Sequence, residues 1–301
     1  MGKKILLTGS NGFLGSYILN EFSDYSIKGL SRNRSCYNVD LSKNIPFFEE
    51  SFDLIIHCAG IAHFIPKNNQ QSNLFFDVNV VGSSNLLIGL SKTSLPKQFV
   101  YISSVSVYGL YCGLNINELN DLNANDPYGK SKIEAEKIIK KWCEEHNVIC
   151  TILRLPLIVG ANPPGNLGAM IHGIKKGYYF NIAGGNAKKS MVQASDIAKF
   201  ILKAAEVGGT YNLTDGIHPS FYELSKIITQ QFGKSFVPNM PFFIAKVLAK
   251  FGDLLGNSFP INTNKLSKIT STLTFDDSKA RIAFGWNPTA VLENFKLHDN
   301  A

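Results

Sequence analysis

Tyr128 and Lys132 stand four positions apart in the stretch Tyr128-Gly129-Lys130-Ser131-Lys132, and Ile133, Ala135, Ile138, Ile139 and Trp142 follow at helical spacing. A phenol and an ammonium group therefore project from one face of one helix. Such a pair can move a proton. A free tyrosine has a pKa of about 10, so a phenol that works as acid or base near neutrality needs a shift of roughly three units, about 4 kcal/mol. An ammonium one helical turn away stabilises the phenolate and supplies part of that shift. A tyrosine and a lysine at this spacing are common in helices, so the chemistry depends on what the rest of the chain places around them.

The elements that must position the pair begin at residue 3. Residues 3 to 8 read as a short buried strand, and Gly9-Ser10-Asn11-Gly12-Phe13-Leu14-Gly15 follows at once, opening a helix through Ser16 to Phe22. Strand, glycine turn and helix in that order is the context of a dinucleotide-phosphate site. Glycine lets the backbone approach a pyrophosphate, whose charge is met by the free amides and the positive dipole end of the helix. A second strand, Ser26 to Leu30, ends in Ser31-Arg32-Asn33-Arg34, where an NAD site would carry an acidic residue for the ribose hydroxyls. Arg32 can pair with a ribose phosphate and Ser31 can hydrogen-bond to it, so the sequence predicts NADP, with NAD as the alternative.

Further strands are predicted over Tyr37 to Leu41, with Asp40 and Leu41 at the edge of an adenine pocket, and over Asp53 to Cys58, closing in Ala59-Gly60. A long amphipathic helix over Ser72 to Leu90 carries Asn79, and a fifth strand, Lys97 to Ser103, runs into Ser103-Ser104-Val105-Ser106-Val107-Tyr108-Gly109. After the Tyr128 helix, Val148 to Leu155 is a sixth strand. Strands alternating with helices predict an α/β fold with a doubly wound parallel sheet, whose ligands sit at the carboxyl ends of the strands. Ser103, Ser104 and Ser106 lie at such an end. Composition changes at 156 to 168, which hold Pro156, Gly160, Pro163, Pro164, Gly165 and Gly168, as in a loop region over a site. We therefore expect a dinucleotide-binding Rossmann domain over 1–160, receiving further elements from about 190–215, and a smaller, mostly helical substrate-binding region over 161–301. The apolar stripe of Pro241 to Leu255 reads as core or a domain contact rather than a membrane anchor.

At 301 residues the chain can bury a substantial core, and 45% hydrophobic with 18% charged residues is the balance of a soluble globular protein. The net charge of +7 is spread along the chain with no basic block interleaved with aromatics, which argues against a nucleic-acid groove and suits a small anionic ligand. The start, Met1-Gly2-Lys3-Lys4, is followed by an apolar run that ends at Thr8-Gly9, too short for a signal peptide, and no membrane span is predicted. The five cysteines lack metal or redox spacing and read as reduced thiols of a cytoplasmic protein. His57 and His63 have no completing ligand cluster, so no metal site is predicted.

Taken in order, the glycine loop, the serine segment and Tyr-x-x-x-Lys about 24 residues after it resemble the extended short-chain dehydrogenase/reductase family, in its nucleotide-sugar epimerase, dehydratase and reductase branch. The resemblance extends over Gly9, Gly12 and Gly15, Asp40-Leu41, His57-Cys58-Ala59-Gly60, Asn79, Ser104 to Gly109, Tyr128, Lys132 and Arg154-Leu155-Pro156. It implies that Ser104 hydrogen-bonds the sugar C4 oxygen, that Tyr128 exchanges a proton with that oxygen during hydride transfer, and that Lys132 holds the nicotinamide ribose and lowers the tyrosine pKa. It further implies cofactor contacts from Asn11, Phe13, Leu14, Cys58, Ala59, Gly60 and Asn79, substrate contacts from Ser106, Asn166 and Lys189, and a homodimer paired through the Tyr128 helix and its neighbour. Lys189 stands where the family usually has arginine.

Departures from the family's patterns narrow the reaction. The 4,6-dehydratases carry adjacent acidic residues where this chain has Val105-Ser106, and the 3,5-epimerase-reductases carry cysteine at Ser106. The sequence therefore points to oxidoreduction at C4 of a UDP- or dTDP-sugar. Reduction of a 4-keto sugar for surface polysaccharide synthesis is the preferred expectation on the strength of Ser31-Arg32. The alternatives are a UDP-hexose or UDP-N-acetylhexosamine 4-epimerase and, against the intact Ser104, Tyr128 and Lys132, a catalytically silent dinucleotide-binding protein.

Overall fold

The computed structural model describes residues 2–62, 64, 66–255 and 261–297; His63 lies outside the described residues. In chain order the first elements are β1 (Lys4–Thr8), α1 (Phe13–Glu21), β2 (Ser26–Ser31), β3 (Tyr37–Asn38) and β4 (Leu54–His57). Then come α2 (Asn69–Phe76), a π turn (Asp77–Val81), α3 (Gly82–Ser91), β5 (Gln98–Ser104), β6 (Gly113–Ile116), α4 (Pro127–Glu145) and β7 (Ile149–Leu155). The remainder comprises β8 (Leu157–Val159), α5 (Gly165–Lys176), β9 (Asn181–Ile182), β10 (Met191–Gln193), α6 (Ala194–Val207), β11 (Gly209–Asn212), α7 (Phe221–Gln231) and β12 (Asn239–Met240). It ends with α8 (Phe242–Leu255), α9 (Thr263–Thr270), β13 (Leu273–Phe275) and α10 (Ser278–Phe284).

Seven strands form one parallel sheet in the order β11-β7-β5-β4-β1-β2-β3. The chain starts in the middle, winds outward through β2 and β3, then crosses β1 to add β4, β5, β7 and β11. That reversal leaves a crevice between β1 and β4 at their carboxyl ends. The strands are apolar on both sides because helices cover both faces. Ile5, Leu7, Ile56, Val100 and Leu153 point to the layer of α1 and α6, while Leu6, Ile55, Phe99, Tyr101 and Ile152 point to the layer of α3 and α4.

The helix that carries Tyr128 is fixed locally. Asp126 accepts a hydrogen bond from Gly129 N at 3.0 Å, and Pro127 occupies the first turn, where its missing N–H costs nothing. Ala135, Ile139, Trp142 and Cys143 then bury one face against the sheet. Two sequence expectations need correction. The third strand stops at Asn38, because Asp40 turns the chain by accepting Ser42 N and Ser42 Oγ at 3.1 and 2.6 Å. The large apolar residues of α8 are mostly not core: Ala245, Ala249 and Gly252 are its buried positions, Leu248 is half-buried, and the other large apolar side chains face outward.

The continuous helical run Asn69–Ser91 has, at 23 residues and mean hydropathy 1.3, the length and composition of a spanning helix. Leu86, Leu87 and Leu90 on this run are packed into the core under the sheet, and Asn79 and Ser83 are bonded within it. Beyond β7 the chain builds a third apolar cluster from α5, α7 and the 291–295 segment. Residues 191–212 return to the sheet, with α6 on its α1 face and β11 on its edge.

Candidate active site

The glycine loop fills the crevice between β1 and β4. Gly9 adopts φ 68°, and a Cβ there would lie 2.7 Å from Ala59 N, so only glycine lets the loop pass under the end of β4. Its N–H donates to Leu30 O at 2.8 Å, tying the turn to β2. Among the described residues no side chain caps the amino end of α1 at Gly12, which leaves first-turn amides to meet an anion. A cleft of about 540 Å³ runs from this end past Asn11, Gly12, Phe13 and Tyr17 to Ala161, Asn162 and Pro164. The cradle fits the pyrophosphate of a dinucleotide.

At the adenosine side the structure separates two residues that the sequence read together. Ser31 Oγ donates to Asn33 O at 2.6 Å and accepts from Asn11 Nδ2 at 2.9 Å, so its hydroxyl is consumed inside the turn. Asn11 donates also to Asn33 O at 2.6 Å and so acts as a tether between the glycine loop and the β2 turn. Arg32 remains exposed, close enough to Asp40 to help hold that carboxyl below its usual range, although the main cause is the bond from Ser42. Leu41 is buried and its carbonyl accepts Asn85 Nδ2 at 2.7 Å, packing the chain against the start of α3.

On the other side of the loop, Ala59 N donates to Thr8 Oγ1 at 3.1 Å and Cys58 N to Thr8 O at 3.2 Å. Burial pushes the Cys58 thiol up to about 12, so it is an uncharged wall residue. His57 is a core histidine. It bonds Thr8 Oγ1 at 2.6 Å and Ser83 Oγ at 2.9 Å, stacks on Tyr101, and is pulled down to about 3 by burial and then by Lys132, which keeps it neutral. Asn79, on the π turn, accepts Ile61 N at 2.9 Å and donates to Ile61 O and Ser131 Oγ at 3.2 and 2.9 Å. Both of its amide donors are therefore occupied by protein, and it positions the 59–61 turn against α4.

Ser104 closes β5 and caps the short 3₁₀ turn Val105–Tyr108, accepting Ser106 N at 3.2 Å. Its hydroxyl donates to Ser106 Oγ at 3.1 Å, and the buried Tyr128 of α4 lies beside it. Phe75 covers the Tyr128 ring at 5.8 Å. Burial raises the Tyr128 pKa, the neighbouring Ser104 hydroxyl pulls it down and Asp126 raises it again, with a net upward shift. The Lys132 ammonium donates to Ile102 O at 2.9 Å and Tyr101 Oη at 3.1 Å, and burial brings it down to about 8 against the opposing pull of Cys58 and Glu136. A Cβ on Gly60 would stand 3.3 Å from Lys132 Nζ, so the bare backbone at Gly60 keeps the space beside the ammonium open.

Sequence reasoning missed the group beneath this site. Glu136, one turn after Lys132, takes Ser103 Oγ at 2.6 Å and Arg154 Nε at 3.0 Å on one oxygen and Arg154 Nη2 at 2.7 Å on the other. Arg154 also donates to Tyr108 Oη at 3.1 Å, and Tyr108 donates to Asn212 Oδ1 at 2.8 Å. The signal available was the i, i+4, i+8 series Tyr128, Lys132, Glu136; its partner on β7 could not be read from spacing.

The residues expected at the substrate's far end are Asn166 and Lys189, and among the described residues neither is hydrogen-bonded to this cluster. Asn166 is exposed in the first turn of α5, and among the described residues it has no hydrogen bond to Ser104, Tyr128 or Lys132. Lys189 bridges to Leu273, and burial brings its ammonium down to about 8, with Cys112 raising and Lys268 lowering it. Lys268, on α9, lies over the Tyr111 ring at 5.0 Å. Two cations far apart in sequence are thus neighbours.

Residues 5–214 match the family model described as the NAD dependent epimerase/dehydratase family. The chain belongs to that family. It is 26% identical over 303 residues to the N-acetyl-alpha-D-glucosaminyl-diphospho-ditrans,octacis-undecaprenol 4-epimerase of Escherichia coli O157:H7, covering 93% of this chain and 89% of that protein. It is 25% identical to the UDP-glucose 4-epimerase of Vibrio cholerae, with 98% and 94% covered. Its fold is shared with MoeE5 in complex with UDP-glucose and NAD, at a TM-score of 0.75 and 17% identity over 96% of this chain and 95% of that one. Membership makes the protein an enzyme of the short-chain dehydrogenase/reductase type.

Proposed function

We propose that the protein is a 4-epimerase of a diphosphate-linked hexose, working through a transient 4-ketone. The observation that carries this reading is the buried Tyr128 beside Ser104 with Lys132 one turn away, at the mouth of the glycine-loop crevice. Relatives that align over nine-tenths of the chain and are named as 4-epimerases support the same reading.

When bound, the nicotinamide would take the hydride from C4 and return it to the ketone. Gly9, Gly12 and the amino end of α1 would hold its pyrophosphate, and Gly60 leaves room beside Lys132 for its ribose. Tyr128 would accept the O4 proton as the C4–H bond breaks and give it back as the bond reforms, while Ser104 holds O4 in line by a hydrogen bond. In the structure Tyr128 is held as a neutral phenol, ready to donate; to act as base it needs nearby positive charge, which the Lys132 ammonium one turn away would supply. Lys189 and Lys268 would meet the diphosphate of the sugar. Leu74, Phe76, Val81 and Ile88 expose apolar surface along Asn69–Ser91 beside α4, a face suited to the homodimer.

Net reduction of a 4-keto sugar with NADPH is the second reading, and Arg32 is the observation that favours it, since its exposed guanidinium stands at the end of β2 without an acidic residue at that position. Denaturing the freshly purified protein and weighing the released nucleotide separates the two. Retained NAD or NADH supports the epimerase, which regenerates its cofactor. An empty site that binds NADPH over NADH supports the reductase, and Arg32→Asp should then abolish that preference; an unchanged preference would remove Arg32 from the argument.

A further inference from the structure

Helix α8 is built with its small residues inside and its large apolar ones outside. Ala245, Ala249 and Gly252 recur at i, i+4 and i+7 and are buried, with Ala245 and Ala249 against Leu266 of α9, Ile182, Met240 and Ile261. On the opposite side, at 100° per residue, Phe243, Val247, Phe251 and Leu254 line one stripe. They are 68%, 52%, 56% and 83% exposed. Single exposed apolar residues need no explanation, but a contiguous stripe of four marks an interaction surface.

What fits that surface follows from its edges. Lys246 and Lys250 flank the stripe on one side, both exposed and, among the described residues, without an ion-pair partner, while Ile244 and Leu255 widen it on the other. The acidic residue of the helix, Asp253, is turned away, accepting Thr263 N and Thr263 Oγ1 at 3.1 and 3.2 Å. Pairing the stripe with a second copy would bring four lysines to one apolar seam with no carboxylate to meet them. An anionic bilayer meets both features: the stripe enters the headgroup and acyl boundary, and the lysine stems reach back to lipid phosphates. Fourteen residues make a helix of about 21 Å, too short to span a hydrocarbon core of about 30 Å, so the helix would lie in the interface plane.

We infer that α8 docks this protein on the surface of an anionic membrane. The inference stands independently of which reaction the active site performs. It places the bilayer against the outer face of α8, whose inner face packs on α9, the helix that carries Lys268 beside Lys189.

The test is co-sedimentation of the full chain with vesicles of phosphatidylcholine alone and with equal parts phosphatidylglycerol. The expected result is binding to the mixed vesicles that weakens by at least about tenfold without phosphatidylglycerol and by a similar factor in Phe243→Glu/Phe251→Glu. Because Trp142 and Trp286 are buried, a Phe243→Trp variant gives a second readout that keeps the stripe apolar: its emission should shift to the blue on adding mixed vesicles and be quenched by brominated lipid. Wild-type protein that stays in the supernatant, or a Phe243→Trp variant whose emission is blind to vesicles, would overturn the inference. So would a stable dimer in solution that Phe243→Glu/Phe251→Glu converts to monomer with no lipid binding in either form, which would assign the stripe to protein contact.

Discussion

Replacing Glu136 with glutamine should be far more damaging than so small a change in shape suggests. The carboxylate is buried, and each of its oxygens is bonded at 3.0 Å or less, to Ser103 and Arg154 on one side and to Arg154 alone on the other. Glutamine can keep the first set through its carbonyl, but its NH₂ then faces Arg154 Nη2 across 2.7 Å, donor against donor. Arginine cannot shed its proton to escape, and burial of the unpaired guanidinium carries the cost. Breaking a buried ion pair from one side costs about 3–5 kcal/mol, whereas replacing both partners with apolar residues is often nearly neutral. Urea denaturation of the wild type, Glu136→Gln, Arg154→Met and the double variant therefore forms a cycle in which the double should be more stable than the sum of the singles by about 2 kcal/mol or more. The same clash disturbs the side chain that holds Ser103, the neighbour of Ser104, so kcat should fall more than cofactor affinity. A loss below about 1 kcal/mol for Glu136→Gln with additive singles would refute the view that this pair holds β7 and α4 together.

Two other perturbations test the site from different sides. Tyr128→Phe should lower kcat by about 10²–10⁴ with little change in dinucleotide binding, and unchanged turnover would sink the proton-transfer role. His57, neutral in the fold with a pKa of about 3 against about 6.5 in the unfolded chain, takes up its proton only on unfolding between those values. Its contribution to stability is thus present above pH 6.5 and lost as the pH falls towards 3, by up to about 4–5 kcal/mol. Thermal melts of His57→Gln should show a shallower acid slope than the wild type, and identical slopes would contradict the burial argument.

What the sequence determined by itself is what local rules encode. The strand, glycine turn and helix at the start follow from apolar run length and from a φ that only Gly9 adopts without strain, and Asp126-Pro127 starts α4 where the capping rules place it. Helical spacing put Tyr128 and Lys132 on one face, and alternation of strands with helices was enough for the doubly wound sheet. Tertiary structure decided the rest, because it depends on partners distant in sequence. Asn11 reaches across 20 positions to consume the Ser31 hydroxyl, which spacing alone had offered to a cofactor. Lys132 found Tyr101 and Ile102 across 30 positions or more, partners that the motif did not name. Glu136 acquired its meaning only when β7 brought Arg154 beside it. In α8 the periodicity revealed a stripe but not which side of the helix would meet the protein; the close approach of α9 selected Ala245, Ala249 and Gly252, and left the phenylalanines outside.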